Sequence, residues 1–365
     1  MTEQECLSKM VAPGTPRAGK YKSGVIQILV TRACNLACYN CTQGSQLGGK
    51  LPFMTVDQFR DACRSLKGYF GVVGMFGGNP ALHPRFAELC IVMQQEVPDG
   101  HRGIWCNNPV SVENARIMRG TFDPAISNLN VHLDRDAFDK FKRGWPECSP
   151  VGLTQDSRHS PPFVAMRDVV KKRGSDWSND GDMIPDESRI WELISGCDIN
   201  QHWSAMVGVF RGELRAWFCE IAGAQAMLHQ DEPDYPDTGL DPTFKYAMGG
   251  GKLWTNDDSN AGVSWWKLPM QAFQIQVRKH CFDCGVPLRG YGELSQAGRS
   301  IPLINDQGES ILDGLPHPRE QVSSTHAAVY KPKRRDRAVE VVERLEQIGV
   351  GKLQKVTHYL QNAKV

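Results

Sequence analysis

The chain has no apolar run that could span a bilayer. Its N-terminal stretch, MTEQECLSKMVAPGTPRAGKYKSG, also lacks the apolar core of an export signal. Nor is there a charge excess of either sign. Lys and Arg number 42 against 41 Asp and Glu, so the net charge of +1 sets up no global pull toward nucleic acid or an anionic membrane. Internal repeats and low-complexity tracts are missing too, and with 41% hydrophobic and 23% charged residues the composition is that of a globular protein. At 365 residues there is room for one large domain with an appendage, or for two domains. Cysteine, by contrast, is plentiful. Twelve of them in a chain with no export signal argue for thiolates and metal in a reducing cytoplasm, not for a disulfide framework.

Three of the twelve sit on one short stretch, TRACNLACYNCTQG (31–44), as Cys34, Cys38 and Cys41. The stretch follows GVIQILVT (24–31), which reads as a buried strand. TVDQFRDACRSLKGYF opens with a capping box, Thr55 and Gln58, and predicts a helix. A strand GVVGMF (71–76), a loop GGNPALHP, a helix RFAELCIVMQQ, a strand GIWC (103–106) and a strand NLNVHLD (128–134) complete the alternation. That order implies parallel βαβ units, with the polar loops 34–49, 77–84, 107–109 and 132–136 on one edge of the sheet. After about residue 144 the grammar changes to a Pro/Ser-rich connection and a helix DESRIWELIS (186–195). Two strands then meet at an Arg211-Gly212 turn.

Three thiolates on one loop hold three corners of a cubane iron–sulfur cluster and leave the fourth iron without a protein ligand. An open metal position is what catalysis requires. A zinc site completed from afar, or three core thiols, would use the same residues, but zinc ribbons pair one C-x2-C with another. A second set, Cys197, Cys219, Cys281 and Cys284, has enough thiolates to close an iron–sulfur cluster or a zinc site, and its spacing does not choose between them.

C-x3-C-x2-C directly after the first strand resembles the signature of the radical S-adenosylmethionine (SAM) superfamily, and GGNP (77–80) is similar to that family's Gly-Gly-Glu-Pro loop. The resemblance covers the N-terminal half and implies a partial (β/α)6 barrel, an α/β fold. It further implies a [4Fe–4S] cluster on Cys34, Cys38 and Cys41, with SAM on the open iron. Gly77, Gly78, Asn79 and Pro80 would then meet the methionyl amine, with Asn79 in place of the family's glutamate. Asn40 stands where the family has an aromatic residue near adenine. Asn107, Asn108 and His132 are further candidates for SAM or substrate, and equally for polar caps on strand ends.

The second cysteine set resembles the Twitch domain, the short form of the SPASM extension. By that likeness it carries an auxiliary [4Fe–4S] cluster able to accept an electron from substrate. The implied organisation is an N-terminal extension (1–23), a radical SAM core (24–185), a Twitch-like β-hairpin/helix domain (186–295) and a C-terminal tail (296–365). Of the other cysteines, Cys63 and Cys90 read as core residues and Cys6 as part of a mobile N-terminus. Cys106 and Cys148 read as core thiols, with hydrogen-atom donation the alternative.

The implied activity is reductive cleavage of SAM and hydrogen abstraction from a small polar substrate (a sugar, aminocyclitol or nucleotide-like molecule), ending in oxidation or isomerisation. An electron donor such as flavodoxin or ferredoxin is the implied partner, with a cytoplasmic location and no membrane. Radical modification of a peptide or a nucleic-acid base is an alternative. The basic run KPKRRDR (331–337) also leaves open a zinc-bearing nucleic-acid-binding module, although such runs more often begin a solvated helix face.

Overall fold

The structure is a computed structural model. It describes residues 1–17, 21, 23–36, 41–45, 53–131, 134–150, 162, 165–173, 183–246 and 262–288, with the pairs 293–294 and 299–300. Cys38, Asn40, His132, the basic run 331–337 and the helix expected after it lie outside the described residues.

After helix α1 (Glu3–Lys9) the chain alternates as β1 (Val25–Thr31), α2 (Val56–Ser65), β2 (Val72–Gly77), α3 (Phe86–Glu96), β3 (Arg102–Ile104), α4 (Val112–Arg119) and α5 (Arg135–Gly144). A short helix α6 (Met166–Val169) and a two-strand ribbon, β4 (Lys171–Arg173) with β5 (Met183–Pro185), follow. Next come α7 (Glu187–Ser195), α8 (Asp198–His202), β6 (Ser204–Phe210), β7 (Glu213–Trp217), α9 (Glu220–Leu228) and α10 (Gln274–His280). Among the described residues, no helix is long and apolar enough to cross a membrane.

One five-stranded sheet, ordered β3-β2-β1-β6-β7, organises both halves. Its β1–β2, β2–β3 and β1–β6 pairings are parallel; β6–β7 is an antiparallel hairpin. Every residue of β1 and β2 is buried, as in parallel strands covered on both faces. The hairpin turn puts Arg211 and Gly212 at φ of 51° and 88°, the positive values that a two-residue turn needs to match strand twist. The Arg211 guanidinium donates to the carbonyls of Gln230 and Tyr235, both at 3.0 Å, and so offsets the strain of a non-glycine residue there. The hairpin thus extends the sheet of the first half, with Val25 beside Ser204 and Ile28 beside Val207.

Among the described residues of NLNVHLD, Asn128 bridges Trp105 in parallel and Asn130 forms a further isolated bridge, short of a continuous strand. One other expectation is corrected. The N-terminus is docked, not mobile. Thr2 and Glu5 form a capping box on α1, and Cys6 is fully buried. Asn200 also clamps the Val11 backbone through two bonds, Val11 N–H to Oδ1 at 2.9 Å and Nδ2 to the Val11 carbonyl at 3.0 Å. Side-chain partners beyond local sequence hold the segment, so no periodicity within residues 1–23 could signal it.

Candidate functional site

The C-terminal ends of β1, β2 and β3 deliver three loops to one edge. The first carries Cys34 and Cys41, both partly exposed, and no described cysteine is in a disulfide. Arg32, fully buried at the start of this loop, donates to the carbonyls of Gln43 (3.3 Å) and Gly44 (3.0 Å) and so fixes the chain just beyond Cys41. The second loop is stitched to the first. The Gly78 N–H donates to the Thr31 carbonyl at 2.9 Å and the Asn79 N–H to that of Ala33 at 2.7 Å. A Cβ on Gly77 would stand 2.5 Å from the Thr31 oxygen, and one on Gly78 2.6 Å from that of Ala33. The two glycines therefore allow backbone-to-backbone approach beside the cysteine loop.

Asn79 is fully buried. Its Oδ1 accepts from the Ala81 N–H and from the Cys106 thiol, each at 3.2 Å, and its Nδ2 donates to Asn35 Oδ1 (3.0 Å) and to the Asn108 carbonyl (2.9 Å). The Cys106 thiol has the Asn108 carbonyl as a second acceptor at 3.3 Å, so its proton can turn away and leave one lone pair of Asn79 Oδ1 open. Asn108 donates to Asp134 Oδ2 at 2.9 Å, and Asp134 in turn caps α5. Asn107 has capacity left, as do Gln43 through Oε1 and Ser45 through Oγ on the first loop. The Asn107 Nδ2 lies 3.7 Å from Cys34 Sγ and 3.2 Å from Asn35 Oδ1, while its buried Oδ1 has no partner among the described residues. Burial pushes the Cys106 thiol up to about 12, so this cysteine is a neutral hydrogen-bond donor inside the amide cluster. Sequence reasoning placed Asn79, Asn107 and Asn108 on this edge but missed Asn35, which joins Asn79 to Asn107.

The four later cysteines meet elsewhere. Cys197 at the start of α8, Cys219 after β7, and Cys281 and Cys284 after α10 line one pocket, with Met10, Asn200, Phe218 and His280 also in its wall. Its empty volume, including the part open to solvent, is about 370 Å3. β6 runs parallel to β1, and Met206 pairs with Trp217. The pocket therefore lies at the N-terminal edge of the sheet, opposite the three-cysteine loop. Seven residues of β1 separate the edges, about 20 Å at about 3.3 Å per residue. Among the described residues, no three His, Cys, Asp or Glu side chains close around a single ion. Behind the pocket His280 Nδ1 bonds Gln225 Oε1 at 3.1 Å, and the Thr238 hydroxyl bonds Nε2 at 2.8 Å. Desolvation, with Lys279 and His229 adding to it, lowers this imidazole to about 3, so it is neutral.

Residues 28–143 match the Radical SAM superfamily, a span that runs from within β1 almost to the end of α5 and contains the whole three-cysteine edge. This part of the chain is similar to radical SAM domains. No curated protein matches the chain. Among solved structures, the crystal structure of BtrN in complex with AdoMet and 2-DOIA is similar at 11% identity and a TM-score of 0.32, the alignment covering 58% of this chain and 82% of that one. Within the matched span, the donor set and the open Asn107 oxygen fit a [4Fe–4S] cluster with SAM beside it. Cys34 and Cys41 are accessible soft ligands, and Asn107 is an unpartnered acceptor next to Cys34.

Proposed function

We propose that the chain is a radical SAM enzyme acting on a small polar substrate (a sugar, aminocyclitol or nucleotide-like molecule) by hydrogen abstraction, with oxidation or isomerisation as the outcome. The observation that carries this reading is the convergence of the cysteine loop, the Gly77–Gly78 approach and the asparagine cluster on one edge of the matched span. Cys34, Cys38 and Cys41 would hold the cluster. With one electron from a donor such as flavodoxin or ferredoxin, the bound cluster and SAM supply a 5′-deoxyadenosyl radical.

The chain's own residues position and protect. Arg32 holds the loop beyond Cys41, and Asn79 locks the edges of β1, β2 and β3 together through Asn35 and Asn108. The free Oδ1 of Asn107 is a further acceptor we assign to the SAM ammonium, beside Asn79, which stands where the resembled loop has its glutamate and whose Oδ1 opens when the Cys106 thiol turns to the Asn108 carbonyl.

Cys197, Cys219, Cys281 and Cys284 fit a closed, Twitch-type auxiliary [4Fe–4S] cluster, since four thiols line a single pocket. The pocket draws together segments near residues 10, 197, 219 and 281, so a cluster there would also bind the fold. From the far edge of the sheet it would not ligate a substrate at the three-cysteine edge, and its part would be to accept an electron from that substrate.

The test is anaerobic reconstitution followed by assay of reductive SAM cleavage. About eight irons per chain and release of 5′-deoxyadenosine are expected. A reconstituted protein that binds no iron at Cys34, Cys38 and Cys41 would sink the reading.

A further inference from the structure

Arg17 follows the docked N-terminal segment and is 6% exposed. Its Nη1 donates to the carbonyl of Asn200, a residue of the four-cysteine pocket wall. Its Nε and Nη2 have no hydrogen-bond partner, and it forms no salt bridge among the described residues. The ionisable groups whose fields reach it are Tyr69 and Cys219. Burial lowers the affinity of the guanidinium for its proton, yet arginine stays charged in proteins. A buried cation without an anion is costly, and removing such a cost is usually stabilising.

Arg17 therefore reaches the wall of the four-cysteine pocket through the Asn200 carbonyl, with two unused donors and no anion paired to it among the described residues. A cubane held by four thiolates is anionic in both of its common oxidation states. We propose that Arg17 is the buried counter-charge of the auxiliary cluster, stabilising its reduced, more negative state and so raising its reduction potential. Arg17 has this role only if Cys197, Cys219, Cys281 and Cys284 hold the cluster proposed above. It touches no ligand directly; it is a positioning and tuning residue acting through its charge and through Asn200. The N-terminal segment thereby becomes part of the cluster site, supplying Met10 to its wall and Arg17 to its electrostatics.

The test isolates the auxiliary cluster in the full chain carrying Cys34→Ala, Cys38→Ala and Cys41→Ala, titrated with dithionite as one-electron donor and read by electron paramagnetic resonance. Arg17→Met should shift the potential downward, while Arg17→Lys, which keeps the charge, should stay close to the parent. An unchanged potential in Arg17→Met overturns the assignment. If instead the parent holds no iron that Cys281→Ala with Cys284→Ala removes, the cluster reading itself fails and Arg17's role falls with it.

Thermal unfolding of the iron-free chains supplies a second reading that does not depend on loading. With nothing anionic in the pocket, Arg17→Met should melt higher than the parent, because it removes an unbalanced buried charge. A variant that melts lower when iron-free, or fails to fold, would show that Arg17 is already compensated and would overturn the proposal.

Discussion

The two cysteine sites differ in everything except their ligand type. The edge beyond β1, β2 and β3 is polar, with Cys34 and Cys41 partly exposed among amides and buried oxygens of Asn107, Gln43 and Ser45 left unpartnered among the described residues. The pocket at the opposite edge has Met10, Ile199, Phe218 and Val286 in its wall and four thiols around it, with His280 held neutral behind them. An edge with spare hydrogen-bonding capacity can receive a ligand and turn it over. A pocket that closes four ligands around one space can hold a group but offers nothing to a substrate. On the proposed reading, one sheet would separate the place of SAM chemistry from the place of the auxiliary cluster, and the largest expected effects follow from removing each in turn.

Cys34→Ala with Cys38→Ala and Cys41→Ala should abolish SAM cleavage, remove about four irons of about eight, and leave the melting temperature of the iron-free chain nearly unchanged. Cys281→Ala with Cys284→Ala should lose a similar amount of iron but melt lower than loaded wild type, because metal binding there is also folding energy. Residual SAM cleavage in the second variant, at whatever fraction stays folded, separates retention from chemistry. If both variants lost cleavage and stability to the same degree, the two edges would be one cooperative unit and the contrast would be wrong.

Within the polar edge, Asn79 and Asn107 should part company. Asn79→Ala strands buried partners at Asn35, Asn108 and Cys106, so it should destabilise the fold by ~1–3 kcal/mol, read by chemical denaturation. Asn107→Ala should cost less stability and weaken SAM binding by ~1–2 kcal/mol, read by equilibrium dialysis. Unchanged SAM affinity in Asn107→Ala would remove it from the amine site.

Much of this was legible in residue order. The capping box at Thr55 and Gln58, the helix in DESRIWELIS, the Arg211-Gly212 turn and both cysteine sets follow from local pattern, and the structure has the helices, the turn and the four-cysteine pocket where those patterns lie. Long-range register was not legible. Nothing in WSAMVGVF says that it will pair with β1, because a buried apolar strand accepts any similar neighbour, yet that pairing puts the two cysteine sets on opposite edges. Docking of the N-terminal segment was hidden for the same reason. It depends on Asn200 and Arg278, far along the chain, and leaves no period in its own sequence.

A smaller effect concerns acid. His83 is 5% exposed; Nε2 lies 2.9 Å from the Met54 carbonyl, and Nδ1 accepts from the Arg85 N–H at 3.1 Å. Desolvation holds it below its ordinary value of 6.5. The unfolded chain therefore binds the proton more readily, and stability from this group is complete above about 6.5 and declines as pH falls below it. His83→Gln should flatten the decline of the melting temperature between about pH 6.5 and the onset of carboxylate titration. An unaltered slope would mean that His83 exchanges its proton as freely in the fold as outside it.

The smallest effect tests whether the wall of the four-cysteine pocket can be loosened while the other edge is left alone. Arg278 grips Glu3 with two nitrogens, Nε to Oε1 at 2.5 Å and Nη2 to Oε2, and Gln274 adds a bond to Oε1 at 3.0 Å. The Arg278 bond is the main reason that the Glu3 carboxyl is held below 4.5. The pair ties α1 to α10, and α10 ends at Cys281. Arg278 is largely exposed, so Glu3→Gln should cost only ~0.2–1 kcal/mol of stability despite the two-point grip. A depressed carboxylate contributes above its unfolded value and stops contributing as pH falls through the folded one. The difference between Glu3→Gln and wild type should therefore be full near neutrality and shrink below about pH 4.5. SAM cleavage should not change, because α1 packs on α7 and the segment before α10 and, among the described residues, not on the three-cysteine edge. A loss of cleavage in a variant that melts normally would show that the N-terminal segment reaches across the sheet, and that the two edges are coupled after all.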